Sequence, residues 1–147
     1  MLAMNTDLVT YYARRAEEYD LIYDKPERQA AISYLIAYLQ RAFEGRTVNE
    51  IACGTGYWTQ HIAQTARSVA ATDISSEVLE VARRKRFPRQ NANFKLADIY
   101  ALPVPEQLFD AGFGGFIWSH VSLSRLPDLL TSLHRTVVVF LILKLGG

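Results

Sequence analysis

The sequence holds one cysteine in 147 residues, Cys53, so no disulfide framework can brace it. A lone thiol suits a reducing compartment. Net charge is nearly absent too. Sixteen Lys and Arg stand against fifteen Asp and Glu, for a formal +1. Such a balance sets up no global field to draw in nucleic acid or an anionic membrane, and neither partner is expected. The most apolar stretch, residues 137–143, is far short of the roughly 20 residues that a membrane-spanning helix needs. Residues 1–7 have no basic region leading into an apolar run, which argues against a signal peptide and for a cytoplasmic protein. Repeats and low-complexity tracts are missing, and no metal site is expected.

What remains is an ordinary globular composition, half apolar and about a fifth charged, with enough chain for one domain and a real core. Helical and strand patterns alternate along it. The fold class expected is therefore α/β: a Rossmann-like, mostly parallel sheet with flanking helices, incomplete at its C-terminal edge. A single domain of 1–147 divides into an N-terminal helical cap (1–45), a core (46–135) and an atypical tail (136–147). A first helix is capped by Thr6 or Asp7 and runs to about Tyr19. Pro26 opens a second, in which Ile32, Leu35, Ile36, Leu39 and Phe43 share a face; Gly45 ends it. Strands are expected at 47–52, 68–72, 93–97, 109–116 and 137–143, and further helices at 57–65, from Ser75, and at 127–135. Arg83, Arg84, Lys85 and Arg86 fall in the last turn of the Ser75 helix, where they complement its dipole; the basic run to Arg89 reads as a solvated helix end.

The first strand runs straight into Gly54-Thr55-Gly56 and then a helix. Glycines there permit a sharp turn and a close ligand approach, and the helix start offers unpaired N–H groups. This is the topology of nucleotide-type cofactor sites. A dinucleotide fingerprint needs a third glycine, but Thr59 occupies that place, and Tyr57 and Trp58 crowd the space a diphosphate would take. No Gly-Lys-Ser/Thr follows, which excludes a Walker loop. Asp73, just after the second strand, suits the two hydroxyls of a ribose; its alternative role is capping the next helix, together with Ser75.

The run from Val48 through Glu50-Ile51-Ala52-Cys53-Gly54-Thr55-Gly56 to Thr59 resembles the first motif of class I S-adenosylmethionine-dependent methyltransferases. The resemblance spans about Tyr11 to Arg135 and implies S-adenosyl-L-methionine as cofactor. It implies that Ala52, Gly54 and Gly56 pack against the methionine part and that Glu50 helps hold its ammonium. Asp73 with Ile74, and Asp98 with Ile99, would then contact the adenosine, Asp98 accepting from the adenine amino group. It also implies that the helix before the first strand folds over the cofactor, bringing Tyr11, Arg15 and Tyr19, one face by their spacing, to the site. The stretch from Phe113 to Val121 would face the transferable methyl. There His120 is the candidate general base, its pKa being near neutrality. The Asn/Asp-Pro-Pro-aromatic signature of amino-methylating members is missing, which favours a small-molecule methyl acceptor.

Two departures stand out. Asn49 replaces the usual apolar residue in a strand buried on both faces, where an unpartnered amide costs about 1–3 kcal/mol. The family fold also ends in further strands that this sequence has no residues left to build. A natural truncation or an altered reading frame is the expectation, with self-association through an exposed sheet edge. The alternatives to an active enzyme are a non-catalytic cofactor-binding remnant and a nicotinamide-dependent oxidoreductase.

Overall fold

The structure, a computed structural model, describes residues 14, 15, 18, 20–115, 117 and 121–143. A 3-10 turn at Asp20–Asp24 and another at Pro26–Arg28 lead into helix α1, Gln29–Ala42. Proline fits that start because the first turn has no use for its missing N–H. Gly45 then takes φ +68°, and its N–H donates to the Thr65 carbonyl at 2.9 Å. The rest alternates: β1 Thr47–Ile51, α2 Tyr57–Ile62, β2 Ser68–Asp73, α3 Ser76–Arg84, β3 Ala92–Leu96, β4 Phe109–Gly115, α4 Leu126–His134 and β5 Val137–Leu143.

All strand pairs are parallel, in the order β3-β2-β1-β4-β5. The order reverses between β1 and β4, and such a switch point opens a crevice at the carboxyl ends of the strands. Alternation along β1 decides the two cores. Val48 faces one side with Val69, Ala71, Ala111 and Phe113, under Leu39 and Phe43 of the α1 region, Ile62 of α2 and Leu79 of α3. Ile51 faces the other with Leu102, Ile117, Leu129 and Leu133, under α4. Trimming the fully buried Phe113 to Ala would cost about 3–5 kcal/mol. Gly112 is fixed by packing, since a Cβ there would meet the Phe140 ring at 2.4 Å.

Helix α2 stops short of the expected residue 65. The carbonyls of Ala63, Gln64 and Ala66, past the last turn and without helical partners, accept from Arg89 Nη1 at 3.2, 3.0 and 2.8 Å. Asn91 Nδ2 also donates to Ala63 and Ala66. The run from Arg83 to Arg89 is thus not simply a solvated helix end. Arg83 reaches the Phe94 carbonyl at 2.9 Å, and Lys85 pairs with Asp20. Arg84 keeps to the surface, beside Glu80.

Asn49 is 5% exposed. Its register partners are Ala70 on one side and Gly112 on the other, and it borders a second cleft of about 420 Å³ with Thr72, Asn93 and Lys95. Among the described residues its amide has no protein partner. Strand β5 forms the other margin of the sheet, with Val138 and Val139 exposed. No described helix is long and apolar enough to cross a membrane.

Candidate functional site

The glycine loop is held by its own backbone and one carboxylate. Cys53 N–H donates to the Thr72 carbonyl at 2.9 Å and Gly56 N–H to the Cys53 carbonyl at 3.1 Å. Gly54, at φ +55°, donates its N–H to Asp73 Oδ2 at 2.9 Å. The position of its absent Cβ has no atom within 4 Å, so its face is open. Ala52 also lies in the left-handed region, at φ +50°, where a Cβ is unwelcome.

Gly56 plays a different part from the expected one. It begins α2 at φ +78° and does not line the cleft; a Cβ there would stand 3.1 Å from Ala82 Cβ of α3. Its smallness serves helix packing rather than ligand approach.

Three acids end three adjacent strands. Glu50 closes on the core, 2% exposed, and Thr59 Oγ1 donates to its Oε2. Burial pushes its pKa up to about 8; the Thr59 bond opposes this and the Asp73 charge adds to it. Thr59 therefore occupies the third-glycine position of the dinucleotide pattern in order to satisfy this carboxyl. Asp73 Oδ1 accepts from Ser75 N–H at 3.0 Å while Oδ2 takes the Gly54 N–H. The helix cap itself is Ser75, whose Oγ accepts from Val78 N–H at 3.5 Å. Asp98 Oδ1 accepts from Tyr100 N–H at 2.9 Å, which shapes the turn after β3.

These carboxyls open into one cleft of about 640 Å³ at the carboxyl end of the sheet, within the range of small-molecule sites. Glu50, Ala52, Gly54, Asp73, Ile74, Asp98 and Ile99 all line it. Ile74 is 73% exposed, an apolar side chain standing free at the rim. Arg15 is exposed and does not line the cleft, against the expectation that it faces inward. Tyr11, Tyr19 and His120 lie outside the described residues.

Sequence reasoning missed the opposite wall. Asp20, Ile22 and Tyr23 of the first 3-10 turn line the cleft, as do Thr55 and Tyr57. The Tyr23 ring stacks on Tyr57 with centroids 3.8 Å apart and meets Trp58 edge-on at 5.6 Å. Burial is the main cause that pushes the Tyr23 hydroxyl up to about 12, so it stays protonated. The aromatic pair after Gly56 was the signal available, since two adjacent rings at a helix start need a partner surface.

A family model described as a methyltransferase domain matches residues 48–138. A malonyl-[acyl-carrier protein] O-methyltransferase of Hamiltonella defensa is 26% identical, over 97% of this chain and 54% of its own length. A demethylmenaquinone methyltransferase of a Geobacillus species is 30% identical, over 71% of this chain and 43% of its own. The chain thus spans about half the length of the curated relatives it matches. Among solved structures, a DhpI–SAH complex is 30% identical with a TM-score of 0.74, covering 92% of this chain and 67% of that one.

Proposed function

This chain belongs to the methyltransferase domain family, and we propose on that footing that its cleft binds S-adenosylmethionine for methyl transfer to a small-molecule acceptor. The observation that carries the reading is the convergence of Glu50, Asp73 and Asp98, from the ends of β1, β2 and β3, on one cleft beside the open face of Gly54. The solved relative's SAH complex supports the same ligand class.

The residues present fit the cofactor part by part. Glu50 lies on the floor, where a methionyl ammonium would meet it and draw it into its charged form. Each Asp73 oxygen takes a single N–H and so keeps acceptor capacity for a ribose diol. Ile74 and Ile99 offer apolar faces for a flat base, with Asp98 beside them for its amino group. The Tyr23, Tyr57 and Trp58 wall excludes water from that side. The cofactor, when bound, supplies an electrophilic methyl on a sulfonium. The protein's task is then alignment of the acceptor and removal of a proton, and His120 is the base we assign to the second. The relatives named for malonyl-[acyl-carrier protein] and demethylmenaquinone favour a small acceptor group over nucleic acid.

Titration calorimetry with S-adenosylmethionine, S-adenosylhomocysteine and NAD tests the cofactor. Binding of the first two and not the third is expected. No binding of either would end this reading. Binding without transfer to any of a broad acceptor panel would leave a cofactor-binding remnant.

A further inference from the structure

One wall of the cleft is the turn Asp20–Asp24, which brings Asp20, Ile22 and Tyr23 to it. Its far end is pinned to α1 by Gln29 Nε2, which donates to the Tyr23 carbonyl at 2.6 Å and to Lys25 at 3.2 Å. Its middle rests on Tyr57 through the stacked Tyr23 ring. Its near end is held by charge. Asp20 Oδ1 accepts from the Thr55 hydroxyl, and Oδ2 pairs with Lys85 Nζ, which also stands 3.5 Å from Thr55 Oγ1. The three residues come from separate places: the turn, the glycine loop and the end of α3.

The pair is partly withdrawn from water, with Lys85 18% and Asp20 29% exposed. Charge-assisted bonds in such a setting outweigh those of a free surface pair. Each carboxylate oxygen of Asp20 holds a donor from another part of the chain, so this cleft-lining acid ties the turn to the glycine loop and to the end of α3. What it fixes is the Thr55 side chain, between the two loop glycines, and the height of the turn above the cleft.

We propose that Asp20 and Lys85 form a clasp that closes the 20–24 turn over the cofactor cleft and sets how long the cofactor stays. Both are positioning residues. The inference rests on the S-adenosylmethionine reading for the identity of the ligand, but the clasp itself is a contact within the chain. Breaking it frees the turn to lift, so the release rate rises while the encounter rate changes little. Salt weakens the pair and acts in the same direction.

The test is stopped-flow release of S-adenosylhomocysteine from the full chain, its Asp20→Asn and Lys85→Met variants, and the exchange Asp20→Lys with Lys85→Asp. Thermal unfolding and amide hydrogen exchange at 20–24 are followed in parallel. Each single variant is expected to release the ligand about tenfold faster or more, the loss of a charge-assisted bond. The exchanged pair is expected to recover slow release, which a general folding defect would not. Lys85 lies off the cleft wall, so Lys85→Met serves if Asp20→Asn does not fold. Should the parent chain bind and both single variants release at its rate, the clasp is overturned and the cofactor reading stands. If the parent binds neither S-adenosyl compound, the cofactor reading fails; faster exchange at 20–24 in the variants would still support the clasp, and equal exchange would overturn it.

Discussion

Replacing Glu50 by Gln keeps the shape of the buried side chain and leaves Thr59 an oxygen to donate to, but removes a titration. In the folded chain the carboxyl's pKa is pushed up to about 8 from an ordinary 4.5, by burial first of all. Between those values the folded state holds a proton that the unfolded chain gives up. The stability of the neutral carboxyl is thus full below pH 4.5, falls as pH rises, and is lost above 8. Each pH unit inside that window is worth about 1.4 kcal/mol. From pH 5 to 8 the parent chain should lose about 3–4 kcal/mol that the Gln variant keeps. For a domain of this size that is a difference of roughly 10 °C in midpoint. Thermal melts of both ligand-free proteins across pH 5–8.5 measure it, because every other titrating group cancels in the difference. Curves that stay parallel would refute the buried, neutral carboxyl. Binding gives the reciprocal signature: a cofactor ammonium needs the charged form, so affinity for S-adenosylhomocysteine should fall up to about tenfold per pH unit below 8 in the parent and lose that slope in the variant.

Asp73→Ala removes the acceptor of the Gly54 and Ser75 N–H groups as well as the ribose partner, so it should weaken cofactor binding by about 1–3 kcal/mol and lower the melting midpoint too; calorimetry showing unchanged affinity would remove it from the site. Ala52→Gly relieves a left-handed backbone at φ +50° and, after the added entropy of the unfolded chain, should gain about 0.5–1 kcal/mol in denaturant unfolding. A loss instead would mean that residue 52 is not strained. His120→Gln should cut turnover by about a hundredfold or more with cofactor affinity unchanged, and steady-state kinetics with full activity would dismiss it as the base.

The parts of this fold legible in the sequence are those decided by neighbours along the chain. Gly54 and Gly56 announced the turn, Ser75 its helix cap, and the alternation of helical and strand patterns along the chain the parallel sheet. The acids at the strand ends were legible because strand ends in a parallel sheet share one edge. The wall at Asp20–Asp24 was not. Asp20 meets Thr55 at a separation of 35 positions and Lys85 at 65, and nothing local distinguishes it from any surface acid. Lys85 and Arg89 misled for the same reason. A basic run at a helix end has a sufficient local explanation in the dipole, which hides the carbonyls and carboxylate that it reaches across the fold. Gly56 was read with the right conformation and the wrong neighbour, since only the packed helices reveal Ala82 behind it.

The strand order carries a consequence for synthesis. β1 is central, yet one of its flanks is filled by β4, with Thr47 and Asp110, 63 positions apart, exchanging side-chain bonds to each other's N–H at 2.9 and 3.0 Å. At translation rates of about 5–20 residues per second, β1 emerges roughly 3–13 s before that partner. Collapse of β1, β2 and β3 takes well under a millisecond, so a half-built sheet waits on the ribosome with a bare strand margin. A wholly apolar margin would invite pairing with another nascent chain. The strand reads Thr-Val-Asn-Glu-Ile, and Asn49 and Glu50 break its apolar run at the middle. Asn49 and Glu50, polar residues that are costly to bury in the finished domain, keep its central strand unattractive while it waits.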